Sequence, residues 1–149
     1  MTALIVYFST ALFVSFLCSL LESVLLSVSH AHIAVLIKEG KKRGSIMARL
    51  KEDINRPLSA ILTINTIANT VGAAGVGAQT YSVFGSSWVA LSSFVLTFSI
   101  LFFSEIIPKT IGALYTKSLV GFTAYVTRAL IILVFPVVIV GEKISNFFK

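Results

Sequence analysis

The stretch ALIVYFSTALFVSFLCSLLESVLLSVS, residues 3–29, decides the fold because its only charged residue is Glu22. A helix needs roughly 20 apolar residues to cross the hydrocarbon core of a bilayer, and this stretch is long enough. It lacks the basic start of a secretory signal peptide, and it exceeds the roughly 7–15 apolar residues of such a peptide. The stretch therefore predicts a retained transmembrane helix.

The composition of the whole chain also indicates a membrane protein. Of 149 residues, 56% are hydrophobic and 12% are charged, whereas charged residues make up about a quarter of an ordinary soluble domain. The net charge of +6 comes from basic residues that flank apolar stretches, which indicates membrane topology and argues against nucleic-acid binding. The single cysteine, Cys18, excludes an intrachain disulfide and a cysteine-based zinc site.

A basic segment follows the first apolar stretch, from Lys38 to Arg56, and contains few acidic residues. The positive-inside rule places such a segment in the cytoplasm and the N-terminus outside. An apolar stripe runs through it, formed by Ile46, Met47, Leu50 and Ile54. That spacing predicts a short helix on the membrane surface.

Two more spans are predicted. The second begins near Asn55 and Pro57, with Asn55 as the capping residue, and ends near Gly77. The uncharged segment 79–87 is predicted to be an external turn. The third span begins at Trp88 and ends near Gly112, with lysines at its cytoplasmic end.

The apolar segment Leu119–Val140 leaves two alternatives open. Its length suits a fourth span, but Arg128 lies near its middle and Pro136 and Gly141 interrupt it. We therefore expect an amphipathic helix held on the cytoplasmic side, with a true span as the alternative. The predicted fold is an all-α integral membrane protein with three transmembrane helices, two juxtamembrane helices and a cytoplasmic C-terminus.

Each span contains polar residues that share one helix face. They are Ser15, Ser19, Glu22 and Ser23 on the first helix, Asn65, Asn69 and Gly72 on the second, and Glu105, Pro108, Lys109 and Gly112 on the third. Counted from the predicted cytoplasmic ends, Glu22, Asn65 and Glu105 all lie roughly 10–12 Å deep. This agreement predicts one shared polar layer.

The segment FFSEIIPKT, Phe102–Thr110, suggests what that layer does. Pro108 has no N–H, so the carbonyl of Ser104, four residues earlier, loses its helical donor. A free carbonyl beside Glu105, together with amide and hydroxyl oxygens, forms an all-oxygen set. Such a set suits hard cations such as Mg²⁺, Ca²⁺ or Na⁺.

These residues resemble the transmembrane domain of the cyclin M / CorC magnesium transporter family. The resemblance covers essentially the whole chain and depends on three motifs. They are a Ser-x-x-Glu pattern at Ser19 and Glu22, an Asn-x-x-x-Asn pattern at Asn65 and Asn69, and SEIIPK at Ser104–Lys109. The family usually has glycine where this chain has Ser104, a difference that bears on how closely an ion can approach.

The resemblance implies a homodimer of three-span protomers, each with a cytoplasmic belt-like helix after the third span. It also implies that Mg²⁺ is bound within a plasma or inner membrane for export, with Na⁺ as a candidate counter-ion. It implies Ser19, Ser23, Asn65 and the Ser104 carbonyl as metal ligands, and Glu22, Asn69 and Glu105 complete the candidate metal set. Pro108, Lys109 and Gly112 are predicted to have structural or gating roles. The family also has cytosolic CBS domains downstream, so we expect this chain to be part of a longer protein.

Other interpretations compete with transport. The chain could be a membrane anchor or sensor that binds Mg²⁺ and dimerises without moving ions. An intramembrane hydrolase has little support, because no His, Cys or Ser accompanies the carboxylates at catalytic spacing. Among single residues, Lys109 is expected to extend to the cytoplasmic headgroups. The alternative is that Glu22 and Glu105 form a structural pair with Lys109 or are protonated. His30 and His32 are expected to be interface residues, because residues two apart on a helix do not face each other.

Overall fold

The computed structural model describes the backbone of residues 1–147 and the side-chain surroundings as far as Val137. Within this part of the chain, every regular element is helical. The helices are α1 (Thr2–Ser27), α2 (His30–Lys38), α3 (Lys42–Glu52), α4 (Asn55–Phe84), α5 (Val89–Ser99), α6 (Ile107–Leu114) and α7 (Thr116–Phe147). A 3-10 turn, Ser86–Trp88, precedes α5, and a π-helical segment, Ile100–Ile106, joins α5 to α6.

The three predicted spans are present as long apolar helices. They are Thr2–Ser27, Asn55–Phe84 and the combined segment Ser86–Leu114. Large apolar side chains cover their outer surfaces, including a row of three phenylalanine rings at Phe94, Phe98 and Phe102. An apolar surface of this extent suits a protein that has lipid as its solvent.

Two predicted details of the second span are wrong. α4 does not end near Gly77 but continues to Phe84, so most of the segment predicted to be an external turn is helical. The chain turns at Gly85, whose φ of 86° lies in the left-handed region that glycine adopts without strain. Asn55 is also not a cap, because it is the first residue of α4 and its side chain makes no capping bond.

The basic segment contains two helices where one was predicted. α3 confirms the predicted helix, and its apolar stripe packs into the protein core through Met47 and Leu50. α2 was not predicted, although Ser29 caps it by accepting a hydrogen bond from the His32 N–H. The Lys51 ammonium group donates to the Val28 carbonyl at 2.8 Å and so caps the end of α1.

The largest buried cluster lies where α1, α2, α3, α4 and α7 meet. Its members are Cys18, Leu21, Leu25, Val28, Ile33, Leu36, Met47, Leu50, Ile61, Val120 and Ala124. The core therefore lies at the end of the bundle that also contains the basic helix α3. The α1–α2 turn and the start of α4 are anchored there.

α1 is the central helix, and glycines let its neighbours approach closely. A Cβ atom added at Gly72 of α4 would overlap Ala11, and one added at Gly75 would overlap the Tyr7 ring. On the other side, a Cβ at Gly112 of α6 would lie 2.7 Å from the Cβ of Ser23. These three glycines therefore act within one protomer.

α7 packs against α1, α3 and α4. Near its start, Gly121 contacts the Arg43 side chain of α3. Further along, the Phe135 ring lies 5.7 Å from the Arg56 guanidinium at the beginning of α4. Length and composition also make Thr116–Val137 a candidate span, so the three-span topology stays a prediction. The end of the predicted segment, with Gly141, lies outside the residues whose side chains are described.

We expect Gly72→Ala to lower the stability of the protein by about 1–3 kcal/mol, because the added methyl group overpacks the contact between α1 and α4. Thermal unfolding in detergent measures this effect. The matched control is Gly77→Ala on the same helix, where no atom lies within 4 Å of the added Cβ. Ala11→Gly should restore stability to the Gly72→Ala protein, and equal stability of the two glycine variants would contradict the packing.

Candidate ion-binding site

Glu22 of α1 and Asn65 of α4 line the same cavity, as the shared polar layer requires. The cavity has a volume of about 260 Å³, and its other lining residues are Cys18, Asn55, Leu58, Ser59, Ile61 and Leu62. Asn55 is the first residue of α4, so the lining extends along that helix for ten residues, roughly 15 Å. The cavity thus connects the level of Asn65 with the end of the bundle that contains α3.

Asn55 and Ser59 were not predicted as site residues. The sequence contains a signal for Asn55, because Asn55, Leu58, Leu62 and Asn65 are spaced by three and four residues and so share a face of α4. Asn55 was instead interpreted as a helix cap, so it was not considered as a residue on the same helix face as Asn65.

Three oxygens between α1 and α4 are buried without a hydrogen-bond partner among the described residues. They are Ser15 Oγ, Asn65 Oδ1 and Asn69 Oδ1. The antiparallel contact of Gly72 with Ala11 puts Asn69 level with Val14 and Ser15, and Asn65 level with Cys18. Unpaired buried oxygens are costly, and a bound cation would satisfy them. Of these three residues only Asn65 lines the cavity that contains Glu22. Thr80, Thr123 and Thr127 also have buried unpaired hydroxyls, and they too lie outside that lining.

The third span opens around Pro108, as predicted. Ile100–Ile106 is π-helical, and the Ile107 N–H bonds to the Phe102 carbonyl, five residues back. Pro108 lies in the first turn of α6, and because it has no N–H it gives no α-helical bond to the Ser104 carbonyl. π-helical turns occur frequently at functional sites. The opening is therefore a widened helix and not a sharp kink.

Ser104 is fully buried, and its side chain has a partner that the sequence did not suggest. Its hydroxyl donates a hydrogen bond of 2.9 Å to the Leu12 carbonyl of α1. A glycine, usual at this position in the resembling family, could not make this bond. The hydroxyl thus attaches the third span to α1.

A second hydroxyl bond joins the same two spans nearer the α3 end. Ser23 Oγ donates to the Lys109 carbonyl at 2.6 Å, beside the close contact of Gly112 with Ser23. The Lys109 ammonium nitrogen lies 3.4 Å from Glu22 Oε2. Lys109, expected to extend to the headgroups, therefore forms an ion pair with a residue of the predicted site.

The structure does not bring all the predicted residues to one level. Ser104 contacts Leu12, which lies ten residues, or roughly 15 Å, from Glu22 along α1. The predicted depths of Glu22 and Glu105 were counted from Ser29 and Gly112, on the assumption that these two residues lie at the same height in the bundle. Gly112 in fact packs against Ser23 and the Leu20 carbonyl, so residues of the third span lie farther from the α3 end than the count implied.

The remaining candidates are distributed between these levels. Ser19 is buried on α1 between Ser15 and Glu22, and Glu105 is half-buried beside Ser104 outside the cavity lining. Within the described residues, no three His, Cys, Asp or Glu side chains come together at a metal-binding distance. A site here would therefore need hydroxyl, amide or carbonyl oxygens in addition to a carboxylate. His30 is exposed, and His32 is half-buried in α2.

Comparison with known proteins identifies relatives of this chain, one of which is named as an inner membrane protein. The chain is 31% identical to the UPF0053 protein sll1254 of Synechocystis over 132 residues, which cover 89% of this chain and 38% of that protein. It is 27% identical to the UPF0053 inner membrane protein YfjD of Escherichia coli over 117 residues, covering 78% of this chain and 27% of YfjD. The chain thus spans about a third of the length of these relatives.

The family described as "Cyclin M transmembrane N-terminal domain" matches residues 6–149, which is nearly the whole chain. That match agrees with the motifs at Ser19–Glu22, Asn65–Asn69 and Ser104–Lys109. The chain is an integral membrane protein and belongs to the cyclin M transmembrane domain family.

Proposed function

We propose that the chain is the membrane domain of a magnesium transporter that exports Mg²⁺, with Na⁺ entry as the candidate driving reaction. One observation carries the proposal: the unpaired Asn65 Oδ1 lies at a cavity that also contains the Glu22 carboxylate. Family membership supports a role in ion transport. The oxygen-only chemistry of the polar residues supports a hard cation as the cargo.

The ligands we propose are Ser19, Ser23 and Asn65 with the carbonyl of Ser104. Glu22, Asn69 and Glu105 supply further oxygens and negative charge along the same path. Because these residues lie at two levels, we propose that the ion contacts them in succession. Mg²⁺ usually retains several waters, and a cavity of about 260 Å³ has room for an ion with part of its hydration shell.

We propose that the α3 end of the bundle faces the cytoplasm and that α7 lies along this end as a belt. The excess of lysine and arginine in the segment 38–56 supports a cytoplasmic position for this end. The belt is supported by α7 beginning directly after α6 and by Phe135 contacting Arg56 at the start of α4, so that both parts of α7 are near the same end. The cavity would then open to the cytoplasm, which suits export.

We also propose a homodimer whose full-length form includes cytosolic CBS domains. Side chains of α1 in the same protomer occupy the space beside Gly72 and Gly75, so these two glycines cannot contact a partner protomer. Small exposed residues on another face of α4, such as Ala73 and Ala74, leave room for the close approach of a second copy.

Asn65→Ala should abolish Mg²⁺ flux into proteoliposomes, because it removes the amide oxygen that faces the cavity. The matched control is Thr66→Ala, which changes an exposed neighbour on the same helix and should leave the flux unchanged. A Mg²⁺-sensitive dye inside the vesicles measures the rate. If Asn65→Ala lowered only dimer stability and the wild type showed no flux, the chain would be a Mg²⁺-binding anchor and not a transporter domain.

Cysteine labelling tests the position of α7. In a Cys18→Ala background, Arg128→Cys should react with a membrane-impermeant maleimide from the cytoplasmic side, as should Lys117→Cys. Ser86→Cys, in the turn between α4 and α5, should react only from the outside. If α7 were a fourth span, Arg128→Cys would lie near the bilayer centre and would stay unlabelled from both sides.

A further inference from the structure

The Glu22 carboxylate lies between the candidate ion-binding cavity and the Lys109 side chain. It lines the cavity that also contains Asn65, and its Oε2 atom lies 3.4 Å from the Lys109 ammonium nitrogen. A carboxylate in a membrane helix is costly unless a cation neutralises it. Lys109 provides that neutralisation from within the chain.

The ammonium group is held loosely, although the backbone that carries it is fixed. A distance of 3.4 Å exceeds the roughly 2.7–2.9 Å of a tight charge-assisted hydrogen bond. The Lys109 side chain is 50% exposed and the Glu22 side chain 38% exposed, so the two groups can separate without moving packed residues. The Lys109 carbonyl, in contrast, accepts the 2.6 Å bond from Ser23.

We propose that the Lys109 ammonium group is a resident counter-ion of Glu22, and that a divalent cation must displace it to bind at this carboxylate. The inference rests on the proposed ion-binding function and adds a competing internal cation to it. Lys109 is thus a positioning residue that acts through Glu22. The ease with which its ammonium group leaves Glu22 sets the apparent affinity for the metal.

The displaced ammonium group has a second acceptor nearby. Glu105 lies four residues before Lys109, at the end of the π-helical segment, about one helical turn away and within the length of a lysine side chain. Movement of Lys109 from Glu22 to Glu105 keeps its charge paired while the metal takes its place. The exchange therefore leaves neither carboxylate of this region without a cation.

Lys109→Gln should tighten Mg²⁺ binding to the purified chain, measured by isothermal titration. If the pair is closed for about nine-tenths of the time, the apparent dissociation constant should fall about tenfold. The same variant should melt at a lower temperature than the wild type in EDTA, because Glu22 then has no cation. It should also gain more stability from added Mg²⁺. A purely structural role for Lys109 would lower stability both with and without Mg²⁺.

Three further variants separate ion exchange from a general charge effect. Lys109→Arg keeps the competing cation and should bind Mg²⁺ much as the wild type does. Lys117→Gln removes an exposed lysine from the start of α7 and should leave the affinity unchanged. In EDTA, Glu22→Gln should cancel the loss of thermal stability that Lys109→Gln causes, because the pair is already broken.

The outcomes distinguish this inference from the proposed function beneath it. If the wild type binds Mg²⁺ and Lys109→Gln binds it no more tightly, the exchange is wrong while the site stands. If Lys117→Gln tightens binding as much as Lys109→Gln does, the effect is general electrostatics and the exchange is likewise wrong. If no variant binds Mg²⁺, the proposed ion site itself fails, and the exchange fails with it.

Discussion

Two hydroxyl-to-carbonyl hydrogen bonds hold α1 against the third span, and the position of Glu22 relative to Lys109 depends on them. Ser104 donates to Leu12, and Ser23 donates to Lys109. The two bonds are separated by eleven residues of α1, or roughly 16 Å, so together they fix the distance between the helices and their register. The Ser104 bond is the more buried of the two, and little water competes for a carbonyl in the hydrocarbon core of a bilayer. Gly112 allows the backbones to come close enough for the second bond.

The fixed register places Glu22 between two unlike surfaces. On one side α4 presents Asn65 and the cavity, and on the other the third span presents Lys109. An ion entering from the α3 end would meet an amide oxygen and a carboxylate that already has a cation beside it. The proposed site therefore has an uncharged side at Asn65, which can hold a partly hydrated ion. On its other side the negative charge of Glu22 is already balanced by Lys109.

The sequence was sufficient where the deciding chemistry is local. A run of apolar residues with one charge identifies α1, and the missing N–H of Pro108 predicts an opened helix whatever surrounds it. It was insufficient where the answer depends on how helices pack. The relative levels of Glu22 and Glu105 could not be predicted, because the count needed to know that Gly112 lies beside Ser23. The prediction that the second span ends near Gly77 was wrong for a related reason. α4 continues to Phe84 and the chain turns at Gly85, because Thr80 is buried against α1 and α5.

Ser104 shows the same limit within one residue. A free Ser104 carbonyl is a prediction from Pro108 alone, whereas the partner of the Ser104 hydroxyl is 92 positions away in the chain. Serine at this position therefore provides an attachment between two helices that a glycine could not make.

The π-helical segment also has a rotational consequence. Each residue of an α-helix turns the chain by roughly 100°, and a π-turn accommodates one additional residue without moving the next turns of the helix. If Ile100–Ile106 returned to α-helical pairing, α6 would rotate by about that angle relative to α5. Such a rotation would withdraw the Lys109 carbonyl from Ser23 and turn Gly112 away from α1, so the wide segment is the feature that keeps α6 aligned with its neighbour.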